Sequence, residues 1–327
     1  MPHEDLWYRS NRFSGLLRFA IAITLLNVLG HTVLGFEQSY AQPLVALATG
    51  YTVELLIEWI GALVNRRPPR FAGGTRHLLP FLLSAHISSL AISMLVYPND
   101  RLMPIVFAVT AALGSKAIFR FAVSPGTSRH FMNPSNFGIA LTLLVFPWVG
   151  IAPPYHFTEN LGTWGDWMLP GLIICSGTFL NLRYTKRGPL LIAWIAGFAL
   201  QALVRSVLLG DSLLAGLMPM TGMAFLLFTF YMVTDPPTTP NRVSRQVLFG
   251  GGVAAAYGML LTFHIVFGLF FGLAIVCSIR GIFLLVTSRY PATGEVPITG
   301  RAETPAPPVA RASPPADASV AMRSAEG

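Results

Sequence analysis

Apolar stretches of about 20 residues recur along most of the chain, separated by short polar segments. A helix of that length rises about 30 Å, which matches the hydrocarbon core of a bilayer. The pattern therefore predicts an all-α, polytopic integral membrane protein with about ten transmembrane helices. Their boundaries, good to a few residues, are 14–35, 43–64, 78–97, 103–123, 134–151, 168–183, 189–209, 212–232, 246–264 and 265–287. The last two stretches run together, and His264 with the nearby glycines predicts the turn between them.

The charged residues divide the connecting segments into two groups. The amino terminus and every second loop together hold 16 basic residues: Arg9, Arg12, Arg66, Arg67, Arg70, Arg76, Lys116, Arg120, Arg129, Arg183, Lys186, Arg187, Arg242, Arg245, Arg280 and Arg289. The alternate loops hold only Arg101 and Arg205, beside several acidic residues. Cytoplasmic loops are enriched in Lys and Arg, so this bias predicts both termini in the cytoplasm and an even number of spans.

Composition narrows the class of protein further. Hydrophobic residues make up 53% of the 327 residues and charged residues only 11%, whereas a soluble domain carries roughly 25% charged residues. So few charges could not cover a soluble globule of this size, which disfavours a soluble enzyme, a nucleic-acid reader and a disordered scaffold. The net charge of +8 follows from the basic loops. We therefore expect a lipid bilayer, and no nucleic acid, as the partner.

The chain divides into three parts. Residues 1–13 form a predicted cytoplasmic amino terminus, and 14–287 form the transmembrane domain. Residues 288–327 are rich in Pro, Ala and Ser and cannot bury enough apolar area to order themselves, so we predict a disordered cytoplasmic tail. The first span lacks a small-residue cleavage site, so we expect no cleavable signal peptide. Cys175 and Cys277 fall in predicted spans, where a cysteine is usually an inert hydrophobe.

Two carboxylates interrupt the second apolar stretch. Glu54 and Glu58 are four residues apart, so a helix places both on one face. A charged side chain at mid-bilayer costs about 2.5–3.5 kcal/mol, and such residues tend to face a cavity, a partner charge or an ion path. Both are candidates for an ion or proton pathway, and Glu54 is the deeper one. The alternative is that Glu58, about two turns from Arg66, pairs with an arginine at the cytoplasmic interface.

The third apolar stretch is unusually polar. His86, Ser89 and Ser93 share a face at i, i+3 and i+7, which predicts a helix in the interior of the bundle. Hydroxyls that bridge neighbouring helices explain this polarity, and we favour that explanation. The alternative is a pathway role, which adds His86 to the ion or proton pathway candidates.

Two segments break helices near the predicted cytoplasmic side. In 128–138, Asn133 is a natural N-cap and Pro134 suits the first turn of a helix. That helix start lies near Arg129 and His130, so it favours an anionic group such as a phosphate, and a plain capped helix start is the alternative.

The second break is 231–240, where Asp235 precedes two prolines and predicts extended backbone. Broken helices in the two halves of a transporter often mark its binding site. The candidate ligand- or flavin-binding residues are therefore Arg129, His130, Asn133, Asn136, Thr234 and Asp235. The sequence has no phosphate-binding glycine loop, no His/Cys metal-ligand spacing and no nucleophile elbow, so we assign no catalytic and no metal-binding residue.

Several short segments resemble known membrane subunits. Three motifs occur in a fixed order. Asn133-Pro134 is followed by Gly138, Phe146-Pro147 ends the same span, and a Met-Val-Thr-Asp-Pro stretch lies later, within residues 230–236. In span number, orientation and motif order the chain resembles the NqrB/RnfD family over roughly 14–287. The strings at 133–138, 153–160 and 176–181 look like the UnbU-type proteins of that family, which are associated with enediyne antibiotic biosynthesis.

The resemblance implies a fold, a location and partners. NqrB and RnfD are ten-span subunits of the Na⁺-translocating NADH:quinone reductase and of the Rnf electron-transport complex. By this resemblance the chain would be a 5+5 inverted repeat in a bacterial cytoplasmic membrane, beside other subunits of an electron-transport or biosynthetic assembly. It would act within a redox-driven, ion-translocating complex and would not catalyse a reaction alone.

The resemblance also implies a flavin. Family flavoproteins attach FMN to a threonine in a Ser-Gly-Ala-Thr-like motif, in the outer loop after the Asn-Pro span. Thr158 and Thr163 lie in the corresponding loop, but neither lies in that motif, so we do not expect covalent attachment. We therefore expect FMN or riboflavin, if it is bound as in the family, to be held without a covalent link.

Three functional hypotheses follow. The first is a subunit similar to RnfD and NqrB that couples flavin-linked electron transfer to cation movement, or a derived relative serving secondary metabolism. The second is a transporter or channel for a small solute or natural product, without redox chemistry. The third is a membrane anchor that recruits biosynthetic enzymes through its basic face.

Overall fold

The computed structural model describes the backbone of residues 2–124, 127–152 and 162–288, and the side chains of these residues from Gly15 onward except that of Thr163. The predicted disordered tail, apart from Ser288, lies outside the described residues. Within the described part, helices dominate: α1 Pro2–Leu29, α2 Ala41–Val64, α3 Thr75–Leu95, α4 Met103–Ile118, α5 Pro134–Val145, α6 Thr163–Phe179, α7 Gly188–Leu209, α8 Leu213–Leu217, α9 Met223–Leu227, α10 Val243–Thr262 and α11 Gly268–Thr287.

Short irregular elements complete the described chain. Widened π-helical turns extend α1, α6 and α9 over Gly30–Leu34, Leu180–Tyr184 and Phe228–Met232, and a 3₁₀ turn covers Met218–Thr221. The strands are β1 Val96–Tyr97, β2 Arg120–Ser124, β3 Thr127–His130 and β4 Gly150–Ile151. Strands β1 and β4 pair antiparallel, as do β2 and β3.

The helices agree with a membrane-embedded, mainly helical protein. Five described helical segments are long and apolar enough to cross a membrane: Gly15–Leu34, Ala41–Val64, Thr75–Leu95, Gly188–Leu209 and Gly268–Thr287. The bent pair Leu213–Thr221 and Met223–Met232 would make a sixth, while α4 and α5 are apolar but shorter. The coarse prediction of a multi-pass membrane protein is supported, and the full count of ten spans stays a prediction.

Two predicted spans are shorter than the sequence suggested. The stretch 103–123 ends as a helix at Ile118, because residues 120–124 pair with 127–130 and the Arg120 side chain donates to Ser128 Oγ and O at 2.8 and 2.9 Å. The stretch 134–151 ends at Val145, because Pro147 lacks a backbone donor and disfavours helical geometry at the residue before it.

The eighth predicted span is broken in its middle. Its two parts meet at Gly222 with a bend of 69°, because Gly222 has extended dihedrals, φ −84° and ψ 148°, directly after the 3₁₀ turn. The segment 231–240, predicted as extended, instead folds into turns after Met232. The predicted turn between the last two helices is confirmed, with His264 and Phe267 both left-handed at φ 56° and 59°.

Basic loops meet at one end of the helices. Arg187 and Arg280 donate to the carbonyls of Pro240 and Thr238, at 2.8 and 2.9 Å, and Ser288 Oγ donates to the carbonyl of Ala122 at 3.4 Å. At the other end, β1 pairs with β4 and the Arg101 guanidinium lies 4.9 Å from the ring of Trp148. These contacts agree with the predicted grouping of the basic loops, and the cytoplasmic orientation of the basic end stays a prediction.

Close packing of α7 against α10 anchors the second half of the chain. Trp194 is fully buried there and donates from Nε1 to Thr229 Oγ1 at 2.9 Å. A Cβ on Gly250 would lie only 2.5 Å from the carbonyl oxygen of Leu190. The two helices can therefore approach this closely only without a side chain at 250.

The adjacent glycines Gly250 and Gly251 give a matched test of this packing. We expect Gly250→Ala to destabilise the protein by about 1–3 kcal/mol, because backbone must move to admit the methyl group. Gly251→Ala meets nothing within 4 Å, so it should be neutral or gain up to about 1 kcal/mol. Thermal unfolding in detergent, followed by tryptophan fluorescence, measures both, and equal midpoints would contradict the packing.

Candidate functional site

A line of polar side chains lies between α2 and α3, which run antiparallel. We call it the polar ladder, and it consists of Gln42, Tyr51, Glu54 and Glu58 on α2 with Ser84, His86, Ser89 and Ser93 on α3. Tyr51, Glu54 and Glu58 share a helix face at i, i+3 and i+7. The three pathway candidates of the sequence thus lie on these two neighbouring helices, Glu54 and Glu58 on α2 and His86 on α3.

Glu58 forms the rung nearest the basic end. Arg67 donates to both of its carboxylate oxygens, with Nη2 3.2 Å from Oε2, and the backbone N–H of Arg70 donates to Oε1 at 2.8 Å. Arg66 is left-handed at φ 47°, which turns the chain so that the following arginines lie over Glu58. Burial lowers the pKa of Arg70, whereas the Glu58 carboxylate raises it. The pairing of Glu58 with arginine, one of the two alternatives from the sequence, is confirmed.

Glu54 forms the next rung with a partner from α4. Lys116 Nζ donates to both carboxylate oxygens of Glu54 at 3.0 Å and to Ser84 Oγ at 3.3 Å. Only 16% of the Glu54 side chain and 15% of Lys116 are exposed. Breaking such a buried pair leaves one charge uncompensated, at a cost of roughly 3–5 kcal/mol. Each of the two charges therefore stabilises the other in the interior.

His86 forms a rung with hydrogen bonds on both ring nitrogens. Tyr51 Oη lies 2.7 Å from Nδ1 and Thr24 Oγ1 lies 2.7 Å from Nε2. Thr24 gives its one hydroxyl proton to the carbonyl of Ala20 at 2.7 Å. Thr24 then accepts from Nε2–H, and in a neutral imidazole Nδ1 accepts from the Tyr51 hydroxyl. For the neutral ring, this network favours the Nε2–H tautomer of His86.

The rungs farthest from the basic end contain unpaired polar atoms. Gln42 Nε2 donates to the carbonyls of Ser93 and Val96 at 2.7 and 2.9 Å. Within the described residues, Gln42 Oε1, Ser89 Oγ and Ser93 Oγ are buried and have no hydrogen-bond partner. Bridging of helices by hydroxyls, the explanation favoured from the sequence, therefore fits Ser84 and does not describe Ser89 or Ser93.

The two predicted helix breaks meet near the basic end. Asn133 caps α5 by accepting from the N–H of Asn136 at 3.0 Å, and its Nδ2 donates to the carbonyl of Met232 at 3.1 Å. Asn136 Nδ2 donates to the carbonyl of Phe270 on α11 at 2.9 Å. The predicted N-cap is thus confirmed, and the two asparagines join α5 to the end of the ninth helix and to α11.

Residues 234–241 form a turn beside this junction, which we call the arginine-bound turn. The carbonyl of Asp235 accepts from the N–H groups of Thr238 and Thr239, each at 3.2 Å. Arg187, only 5% exposed, donates to the carbonyls of Pro236 and Pro240 and to Asn241 Oδ1. The prolines thus lie in a turn whose carbonyls are taken up by a buried guanidinium.

Charges of both signs act on the Arg187 guanidinium in this turn. Burial lowers the pKa of the Arg187 guanidinium, the Asp235 carboxylate raises it, and the Arg129 guanidinium lowers it. Arg280 also interacts with Arg187 and Arg245. The Arg187 guanidinium is therefore attracted by one carboxylate and repelled by other guanidinium groups at the basic end.

The remaining flavin candidates are placed as follows. Thr234 is buried and donates to the carbonyl of Phe230 at 2.7 Å, while Arg129 and His130 end β3, with Arg129 exposed. Thr158 lies outside the described residues, and Thr163 begins α6 with its side chain undescribed. Among the described residues, no group of three His, Cys, Asp or Glu side chains could hold a metal ion.

No protein-family model matches the chain, and no curated protein matches it either.

Sequence reasoning missed the partners of the candidate residues. The charge pattern groups Lys116 with the basic loop residues, although a lysine inside an apolar helix is itself a signal for a buried counter-ion. Tyr51 is one helical turn from Glu54 on the same face, which is a readable signal. Thr24 and Arg187 carried no signal, because their partners are 62 and about 50 residues away in sequence.

Arg187 offers a test of the arginine-bound turn. Arg187→Lys keeps the charge but cannot reach three acceptors with a planar fork, so we expect a loss of about 2 kcal/mol of stability. The control is Arg183→Lys, since Arg183 is exposed and should change stability by less than about 0.5 kcal/mol. Thermal unfolding in detergent measures both, and an unchanged midpoint for Arg187→Lys would contradict the role of the guanidinium.

Proposed function

We propose that the protein is a multi-pass membrane protein, similar to NqrB and RnfD, that moves a cation across the membrane. The observation that carries this proposal is the Glu54–Lys116 pair inside the polar ladder. Ionisable groups within membrane-spanning helices are costly and mark ion or proton pathways in pumps and transporters. The pair stands between a second carboxylate, Glu58, and the polar groups that continue along α3.

The length of the ladder supports a path across the membrane. Gln42 and Glu58 are 16 residues apart on one continuous helix, which corresponds to about 24 Å at 1.5 Å per residue. The hydrocarbon core of a bilayer is about 30 Å thick. Polar groups therefore follow α2 through most of the depth that a cation must cross.

The family resemblance supplies the rest of this proposal. It adds ten spans in two inverted halves, a bacterial cytoplasmic membrane with both termini inside, and neighbouring membrane subunits. Flavin-linked electron transfer would then drive the cation, and the UnbU-like strings suggest a role in enediyne-type secondary metabolism. The chain would serve as one subunit of such an assembly.

At the junction of α5 with the arginine-bound turn, three of the flavin candidates are hydrogen-bonded within the chain. Asn133, Asn136 and Thr234 are buried. The two asparagines donate to carbonyls of other segments, and the Thr234 hydroxyl donates to the carbonyl of Phe230 one turn earlier.

A transporter or channel without redox chemistry is the second candidate function. The polar ladder favours it directly, because every group in the ladder belongs to the chain and none requires a cofactor. This candidate shares the cation path with the first and differs only in the source of energy.

Two measurements on the full-length protein test both candidates. The purified protein is denatured and any released or covalently retained flavin is measured by absorbance and fluorescence. The same preparation is reconstituted in vesicles of phosphatidylcholine and phosphatidylglycerol, and cation entry is measured under an imposed potential. Glu54→Gln is compared with Asp100→Asn, which removes an exposed loop carboxylate.

We expect cation entry in the native protein and in Asp100→Asn, and a loss of about tenfold or more in Glu54→Gln. Flavin together with entry supports the redox-driven subunit, whereas entry without flavin supports the second candidate. Absence of cation entry from the native protein, or equal entry in Glu54→Gln, would contradict cation movement through the ladder.

A further inference from the structure

We infer that the basic end binds an anionic phospholipid, with the headgroup on four basic side chains and an acyl chain in a groove along α6. We call this surface the lipid groove, and it joins the face of α6 over 174–183 to Arg183, Lys186, Arg242 and Arg245. The inference goes beyond the proposed cation movement, because no group of the lipid groove belongs to α2, α3 or α4.

The four basic side chains of the lipid groove are all exposed. None of them forms an ion pair with a described residue. The ion pairs within the described part of the chain use other cations: Arg67, Arg70, Lys116 and Arg205. The four charges at this edge are therefore available to an anion from outside the chain.

Hydrogen bonds hold the two segments that supply these charges side by side. Gln246 Nε2 on α10 donates to the carbonyls of Lys186 and Asn241, at 3.2 and 3.1 Å. Arg187 joins the same segments, since it donates to Asn241 Oδ1 at 2.8 Å. The start of α10 therefore lies against the turn that follows α6, and both pairs of basic residues lie at one edge of the molecule.

Further guanidinium groups lie behind this exposed edge. Arg245 interacts with Arg280, and Arg280 in turn interacts with the buried Arg187. These like charges repel one another, and an anion bound at the exposed edge would offset the repulsion. Basic clusters at the cytoplasmic ends of transmembrane helices recognise anionic headgroups for this reason.

A groove along α6 leads to these side chains. Its volume is about 690 Å³, and it is lined by Ile174, Cys175, Thr178, Phe179, Leu182 and Arg183. From 174 to 183 the helix rises by about 14 Å. The lining is mainly apolar, and the Arg183 guanidinium lies at the end of the helix that carries the basic residues. This arrangement matches a phospholipid, which joins a hydrocarbon chain to a phosphate.

The arginines of the first half do not offer the same surface. Arg67 and Arg70 pair with the Glu58 carboxylate, which neutralises part of their charge. The lipid groove instead presents unpaired cations next to apolar side chains, and guanidinium groups bind phosphate oxygens well. Phosphatidylcholine carries a positive choline beside its phosphate, so we expect the groove to prefer phosphatidylglycerol.

Native mass spectrometry of the full-length protein in detergent tests the inference. The protein is titrated with phosphatidylglycerol or with phosphatidylcholine of the same acyl chains, and bound lipid is measured as added mass. The headgroup variant combines Arg183→Gln with Lys186→Gln, and its control is Arg76→Gln at the exposed start of α3. The groove variant is Cys175→Trp, and its control is Leu200→Trp on the exposed apolar face of α7. All these positions are exposed, so the variants should fold.

We expect the native protein and both controls to bind phosphatidylglycerol about tenfold more tightly than phosphatidylcholine. The headgroup variant should lose this preference, and Cys175→Trp should weaken binding of phosphatidylglycerol about fivefold or more.

Equal binding of the two lipids by the native protein, or an unchanged preference in the headgroup variant, would overturn the inference. Unchanged binding by Cys175→Trp would overturn the place of the acyl chain in the groove. Displacement of phosphatidylglycerol by millimolar inorganic phosphate would show a site for a free anion, and would overturn the assignment to a lipid.

Discussion

The ion pair of Glu54 and Lys116 is the constraint on which the first half of the molecule depends. Either charge alone would be expensive in a low-dielectric interior. Because Glu54 is on α2 and Lys116 on α4, with Ser84 of α3 as a further acceptor, the pair fixes three helices relative to one another. The rest of the polar ladder is built around that point: Glu58 toward the arginines, and His86 toward the unpaired serines.

The arginines at the basic end bind specific acceptors, which the count of charges does not show. A basic loop residue is usually read as a marker of the cytoplasmic side. Here Arg67 neutralises Glu58, Arg120 ties β2 to β3, and Arg187 takes up the carbonyls of a proline-rich turn. The same residues that orient a membrane protein thus also satisfy backbone and carboxylate acceptors that would otherwise be left unpaired.

Much of the architecture was readable from the sequence, because the length and polarity of a stretch decide whether it can cross a bilayer. The positions of α2, α3, α7 and α11, the N-cap at Asn133 and the turn at His264 all follow from local signals. The end of α4 and the bend at Gly222 did not, since each depends on tertiary contacts or on a dihedral choice that hydropathy does not encode.

For the same reason, only part of the candidate site could be predicted from the sequence. Glu54, Glu58 and His86 stand out as polar residues in apolar stretches, so the sequence identifies them. Their partners Lys116, Arg67 and Thr24 come from other segments, and one sequence does not reveal which helices pack together. The unpaired oxygens of Ser89 and Ser93, which extend the ladder, are a property of the packed structure alone.

Infrared spectroscopy of the protein in membranes at neutral pH, with isotope-labelled glutamate, tests the central claim that Glu54 and Lys116 form an ion pair. The spectrum of Glu54→Gln is subtracted from that of the native protein. The account predicts that the variant loses an ionised carboxylate band. Loss of a protonated carboxyl band instead would contradict it.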